Sequence, residues 1–235
     1  MSKKIWSNLD PLNRKRGYML AEAVIFDFDG TLVHLNIDFK FMREEVEEIL
    51  AEYGLDPGPF KGLLILEMID EATRLLSKHD PLKGQELRDK ARELVTEHEI
   101  RAARNGRVFP GVIDMFGALK NRGMRIGVIT RNCETAVKMV FPDIERFCHV
   151  FIPRDNITHV KPHPDHLSVA LKEMAVSKAD RCVMVGDHPM DIEGGRRMAM
   201  KTVGVLTGRT GRKEFLEAGA DLVLDSVTEI PDYLF

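Results

Sequence analysis

The chain has 235 residues, enough for one domain of ordinary size plus a smaller one, with a properly buried core. Hydrophobic residues make up 44% and charged residues 30%, as in soluble globular proteins, and 34 Lys and Arg against 37 Asp and Glu leave a net charge of −3 with no basic stripe, so no nucleic-acid partner is expected. No apolar run reaches membrane-spanning length, and the scattered Cys133, Cys148 and Cys182 fit neither a disulfide framework nor a zinc knuckle, which points to a reducing cytoplasm.

Residues 1–22 are polar and partly basic, lack the apolar centre of a signal peptide, and read as an N-terminal surface extension. Trp6 is its one anchor candidate, and Met19 offers a second translation start. Residues 23–26 follow as a short apolar run of the kind found in strands covered on both faces. The strand ends in Asp27-Phe28-Asp29-Gly30-Thr31. Two aspartates two apart on a strand point to one face. Side by side they repel, and one stays protonated unless a cation lies between them. A hard dication such as Mg²⁺, which prefers oxygen ligands, meets that need. The plain alternative is a strand followed by an Asp-Gly turn.

After a short connector, three stripes at helical spacing follow: Met42, Val46, Ile49, Leu50 and Tyr53; Leu64, Met68, Ala72, Leu75 and Leu76; and Leu87, Ala91, Leu94, Val95, His98 and Ala102. They are separated at Gly54–Pro57 and Asp80–Pro81, and the third stops near Asn105-Gly106. Residues 36–106 therefore form a helical insertion with no strand signal. From Arg107 onward helices alternate with strands. Strands are expected at 125–130, 149–153, 181–187, 202–206 and 221–224, and helices at 112–121, 134–141, 164–175, 191–200 and 213–218. That alternation specifies an α/β core with a Rossmann-like, doubly wound, mostly parallel sheet.

Three further groups stand at or beyond strand ends. Thr130-Arg131-Asn132 offers a hydroxyl and free backbone N–H groups, which suit an oxyanion, or else a helix N-cap. Lys161 is held in an extended segment by Pro162 and Pro164; an isolated lysine of this sort is otherwise a solvated surface charge. Gly186-Asp187 ends a second apolar strand, and Asp191 follows, either facing the same point as Asp187 or favouring a helix start. Carboxylates that hold a dication, beside an amine and a hydroxyl that hold an anion, describe phosphate chemistry.

In order, Asp27-Phe28-Asp29-Gly30-Thr31, Thr130, Lys161 and Gly186-Asp187 with Asp191 resemble the four motifs of the haloacid-dehalogenase-like hydrolases, over residues 24–224. The resemblance implies a core made of residues 23–35 and 107–235, with residues 36–106 as a helical cap. It makes Asp27 the nucleophile that forms an aspartyl-phosphate and Asp29 the general acid and base. It places Mg²⁺ on Asp27, Asp187, Asp191 and the Asp29 carbonyl, and the phosphoryl group on Thr130, Arg131 and Lys161. A carboxylate at position 29 argues for phosphoester rather than carbon–halogen chemistry, because a halide leaves without a proton. His34 departs from the family's commoner string and reads as a polar connector; His163 and His188 read as rim residues. The expected activity is a phosphatase acting on a small phosphorylated metabolite, similar to phosphoglycolate phosphatases. A sugar phosphomutase of the β-phosphoglucomutase kind and a non-catalytic binding protein are the alternatives, and the oligomeric state is open.

Overall fold

In the computed structural model, residues 21–234 are described. Trp6 and Met19, with the basic part of the N-terminal extension, lie outside them. The described chain is an α/β protein of two compact units: one takes the chain up to Leu35 and again from Gly106, and the other is Asn36–Asn105.

The first unit is built on six parallel strands: β1 (Ala23–Phe26), β4 (Arg125–Ile129), β5 (Val150–Ile152), β6 (Cys182–Gly186), β7 (Lys201–Val205) and β8 (Leu222–Leu224), in the spatial order β5-β4-β1-β6-β7-β8. The chain starts in β1, builds outward on one side through β4 and β5, then returns to build β6, β7 and β8 on the other. The carboxyl edge beside β1 is thus the point where strand order reverses, the place where open α/β sheets bind ligands. Two strands of two residues each, β2 (Val33–His34) and β3 (Arg107–Val108), pair antiparallel with Val33 opposite Val108. This ribbon closes the chain where the helical insertion leaves and re-enters. Such short strands carry no periodicity, so the expected connector over residues 31–36 holds a strand that the sequence does not announce.

Both faces of the sheet are covered, which is why its strands read as apolar runs. On one face Ile25, Ile129, Ile152 and Met184 pack with Leu167, Ala170 and Leu171 of α7 (Pro164–Glu173) and with Met174, its C-cap. On the other, Phe26 meets Phe116 of α4 (Val112–Asn121) edge to face, with ring centroids 5.7 Å apart. Phe116 also stacks on Phe147, whose ring meets that of Phe141 at a tilt of 42°; Phe141 caps the end of α5 (Glu134–Val140), and Phe147 ends the one-turn helix α6 (Ile144–Phe147), which the sequence reading leaves out. Helices α8 (Pro189–Arg197) and α9 (Arg212–Ala218) follow β6 and β7, and a terminal helix α10 (Ile230–Leu234) completes the unit beyond the last expected strand. All three cysteines are free and buried. No helix among the described residues is long and apolar enough to cross a membrane.

The second unit holds α1 (Phe39–Glu52), α2 (Ile65–Ser77) and α3 (Pro81–Ala103). Asp38 and Asp80 cap α1 and α3 by accepting N–H groups of Phe41 and Lys83, each at 3.0 Å, and Pro81 takes the first position of α3, where a missing N–H costs nothing. So Asp80-Pro81 starts a helix as well as ending one. Helix α2 buries Leu66, Met68, Ile69 and Ala72, whereas Leu64, Leu75 and Leu76 are only partly covered; its apolar stripe is rotated from the expected one. His98 of α3 is buried against Glu45 of α1 at 2.5 Å, with the Phe41 ring at 5.7 Å.

Phe116 has no exposure, while Ile113 on the same helix is 51% exposed. Phe116→Ala is expected to cost about 3–5 kcal/mol in chemical denaturation, and Ile113→Ala less than about 0.5 kcal/mol. Equal losses would contradict this assignment of the helix faces.

Candidate active site

Asp27 follows β1 directly. Its N–H donates to the Val185 carbonyl at 2.9 Å, so the backbone keeps sheet pairing one residue past the strand and delivers the carboxylate to the carboxyl edge. There the chain coils. The N–H groups of Leu32 and Val33 both reach the Phe28 carbonyl, at 2.8 and 3.1 Å, and Gly30 N–H reaches the Val33 carbonyl at 2.8 Å. Gly30 sits at φ +74°, and a Cβ there would stand 2.2 Å from Asp187 Oδ2, so both the backbone and the neighbouring carboxylate call for glycine. Asp29 lies in this coil, with Oδ1 accepting the Leu35 N–H at 3.1 Å. The strand itself ends at Phe26, so a turn, not strand alternation, brings Asp29 near Asp27.

The strands flanking β1 supply the next groups. Thr130 follows β4; its hydroxyl donates to Asn132 Oδ1 at 2.9 Å and accepts the Asn132 N–H at 3.1 Å. Neither residue caps a helix, since α5 begins at Glu134 with Cys133 as its N-cap. The Arg131 guanidinium turns to the Lys161 carbonyl, donating at 2.5 Å. Asp187 follows β6. Helix α8 starts at Pro189, two residues ahead of the expected Asp191, because Pro189 takes the first position and His188 caps. Asp191 therefore lies within the first turn, as its third residue. Its Oδ2 accepts the His188 N–H at 3.2 Å, while its Oδ1 accepts from Lys161 Nζ at 2.7 Å. One oxygen of Asp191 thus supports the helix start and the other meets the buried amine. The approach needs room: a Cβ on Gly186 would lie 2.1 Å from Asp191 Oδ2 and 2.4 Å from its Cβ.

Lys161 is only 2% exposed, so it is no surface charge. Nζ pairs with Asp27 Oδ1 as well as with Asp191. Its backbone is fixed at both ends. The carbonyl accepts from Arg131, and the N–H donates to His166 Nδ1 at 3.1 Å; His166 Nε2 in turn donates to the Ile152 carbonyl at 3.0 Å, at the end of β5. This double bond pattern requires the neutral imidazole, and burial pushes the His166 pKa down to about 4. His166 was not singled out from the sequence. A buried histidine in the first turn of an amphipathic helix looks like any core position, and only the fold reveals the lysine backbone beside it. Two further contributors also went unread: Thr207, whose hydroxyl donates to the Gly30 carbonyl at 2.5 Å, and Arg209, whose charge acts on Asp29.

Four carboxylates thus face one ammonium. Burial, then Asp27, pushes Asp29 up to about 7. Burial pushes Asp191 up to about 6 despite the Lys161 charge, and burial followed by Asp27 and Asp191 drives Asp187 well above the usual carboxylate range. For Lys161, burial alone would lower the pKa; Asp191 and Asp27 outweigh it and the net direction is up. Asp27, Asp187 and Asp191 each offer an oxygen, all within 4.8 Å of one another. An all-oxygen donor set with excess negative charge fits a hard dication of the Mg²⁺ kind. The Asp29 carboxylate stands outside that set. Of the other histidines, His188 and His163 cap α8 and α7, and His34 lies half-buried in β2.

A sequence profile of the family described as haloacid dehalogenase-like hydrolase matches residues 24–205. The pyrophosphatase PpaX of Bacillus cereus (strain ATCC 10987 / NRS 248) is 30% identical over 216 residues, covering 90% of this chain and 95% of that protein. Among solved structures, a hydrolase from Pseudomonas syringae superposes with a TM-score of 0.65 at 20% identity, over 91% of this chain and 97% of that one. CbbY from Rhodobacter sphaeroides, solved in complex with phosphate, gives 0.60 at 23% identity, over 89% and 96%. These two share the fold. With the motif order, the strand-end carboxylates and the family match in agreement, the chain belongs to the haloacid dehalogenase-like hydrolases.

Proposed function

We propose that this hydrolase is a Mg²⁺-dependent phosphatase that cleaves a small phosphorylated metabolite through an aspartyl-phosphate on Asp27. The observation that carries the reading is the convergence of Asp27, Asp187 and Asp191 around the buried Lys161 Nζ, with Asp29 at the same strand end. Mg²⁺ held by Asp27, Asp187, Asp191 and the Asp29 carbonyl would neutralise charge on the phosphoryl oxygens. An Asp27 oxygen attacks phosphorus, and the bond from phosphorus to the leaving oxygen breaks. Asp29, whose pKa burial and the neighbouring Asp27 push up to about 7, is the group placed to give that oxygen its proton. The Asp29 carboxylate then takes a proton from the water that attacks phosphorus, releasing phosphate and restoring Asp27. Lys161 steadies Asp27 and, with Thr130 and the backbone at Arg131, holds the transferring group.

The Bacillus cereus relative is named a pyrophosphatase, which makes inorganic pyrophosphate a first substrate to try beside alkyl monophosphates. A phosphate-release screen with Mg²⁺ should find turnover of at least one such compound. Asp27→Asn should lower it by at least about 10³-fold, and retained turnover would remove Asp27 from its role. Isomerisation of a hexose phosphate without net phosphate release would favour the mutase instead.

Asp29→Asn discriminates further. It should reduce hydrolysis of an alkyl phosphate by about 10²–10⁴-fold and that of p-nitrophenyl phosphate much less, because p-nitrophenolate leaves without a proton. Equal losses would mean that Asp29 is not the acid.

The raised carboxyl pKa values also predict a stability profile. Asp29, Asp187 and Asp191 bind protons more tightly folded than unfolded, so without metal the protein should lose stability as pH rises from about 4 to about 7. Mg²⁺ offsets the charge left behind, so it should raise the melting temperature more at pH 8 than at pH 5. A Mg²⁺ effect that is flat or reversed with pH would contradict this charge distribution.

A further inference from the structure

Away from the carboxylate cluster, the described residues gather a second set of metal-ligating side chains, His159, His163 and Asp165. A turn closed by the His163 N–H on the Val160 carbonyl at 3.0 Å brings the two imidazoles together, with ring centroids 4.5 Å apart and planes at 33°. Both rings present Nδ1 to the same oxygen: His159 lies 2.8 Å and His163 3.4 Å from Asp165 Oδ2. Donor atoms about 2.1 Å from one ion stand roughly 3.0–3.4 Å from each other at tetrahedral or octahedral angles, so little movement is needed to share one. The three side chains are 55%, 47% and 50% exposed, open to an ion from solvent. Two of the three are also fixed by the start of α7: His163 is its N-cap, Pro164 its first residue and Asp165 follows.

We propose that His159, His163 and Asp165 form a second metal site, selective for a borderline dication such as Zn²⁺, Co²⁺ or Ni²⁺, with water completing the coordination. Two imidazoles and one carboxylate favour those ions over Mg²⁺, which takes oxygen donors. On binding, His159 moves its ring proton from Nδ1 to Nε2 by exchange with solvent, which frees the Nδ1 lone pair, and the 3.3 Å contact from Asp165 N–H to His163 Nδ1 is exchanged for the metal bond. The ion would tie the residues on either side of Lys161 together, bracing from outside the segment that carries the buried amine. The inference is independent of the phosphatase reading, since it uses none of the same side chains.

The test is titration of the untagged full-length chain with Co²⁺ in excess Mg²⁺, read by visible d–d absorption, followed by displacement with Zn²⁺. Wild type should bind one equivalent with the spectrum of nitrogen ligation, and His159→Ala should bind it at least about tenfold more weakly. His163→Asn should do the same, and because asparagine also caps helices it separates ligand loss from helix damage. Zn²⁺ should raise the melting temperature of wild type above that of His159→Ala at the same Mg²⁺ concentration. Identical Co²⁺ spectra and affinities in wild type and both variants would overturn the proposal, as would a wild type that shows no nitrogen-ligated Co²⁺.

Discussion

The arrangement of this core depends on one buried charge contact, Lys161 Nζ between Asp27 and Asp191. An ammonium out of water is tolerated only when paired and hydrogen-bonded, and removing one partner leaves the others uncompensated. The contact joins three places in the chain: the end of β1, the segment before α7, and the first turn of α8. Each is built to permit it. Gly186 has no side chain, so Asp191 can lie against the end of β6. Arg131 and His166 fix the carbonyl and the N–H of Lys161, so its side chain departs from a backbone already in place. The groups that position the amine are protein groups, present before any substrate arrives, which is the condition for electrostatic preorganisation.

The parallel sheet explains why these residues can be far apart in sequence and adjacent in space. β4 and β6 both pair with β1, in register on its two sides. Every strand of a parallel sheet ends on the same edge, so the residue after β1, the residue after β4 and the residue after β6 become neighbours without any special loop. The reversal of strand order at β1 leaves a crevice there rather than a covering crossover. The geometry of the carboxylate cluster is therefore a consequence of topology, and loops refine it.

What was legible in the sequence follows the same division. Strands buried on both faces announce themselves as apolar runs, so β1, β4 and β6 and the polar residues that follow them could be read directly, and the helix–strand alternation gave the parallel architecture. Details set by tertiary contact could not be read. The spacing of Asp27 and Asp29 suggested a shared strand face, yet the strand stops at Phe26 and the Gly30 coil does the work. Asp191 looked like a helix opener because its cap, His188, is not a usual capping residue and Pro189 hides the true start. Thr130 carried a capping reading that is removed because Cys133 takes the N-cap of α5. The Arg131 guanidinium donates to the Lys161 carbonyl, a backbone partner that no pattern reveals. The pairs β2–β3 and the burial of Leu66 and Ile69 in α2 depend on neighbours distant in sequence, and periodicity over two residues, or a stripe with two competing registers, cannot express them.

The segment from His159 to Asp165 shows how one loop can hold opposite demands. Its middle is dry: Lys161 must enter the core, and it does so with its own N–H and carbonyl bonded to His166 and Arg131. Its two ends are wet, and there His159, His163 and Asp165 meet in water instead. A loop whose centre is drawn inward by two carboxylates is forced to bring its ends together, because the chain that goes in must come out within a few residues. The closeness of the two exposed imidazoles is thus a geometric consequence of burying the lysine. Any tie across the mouth, whether the His159–Asp165 hydrogen bond or an ion, acts on the same short span that fixes where the amine stands.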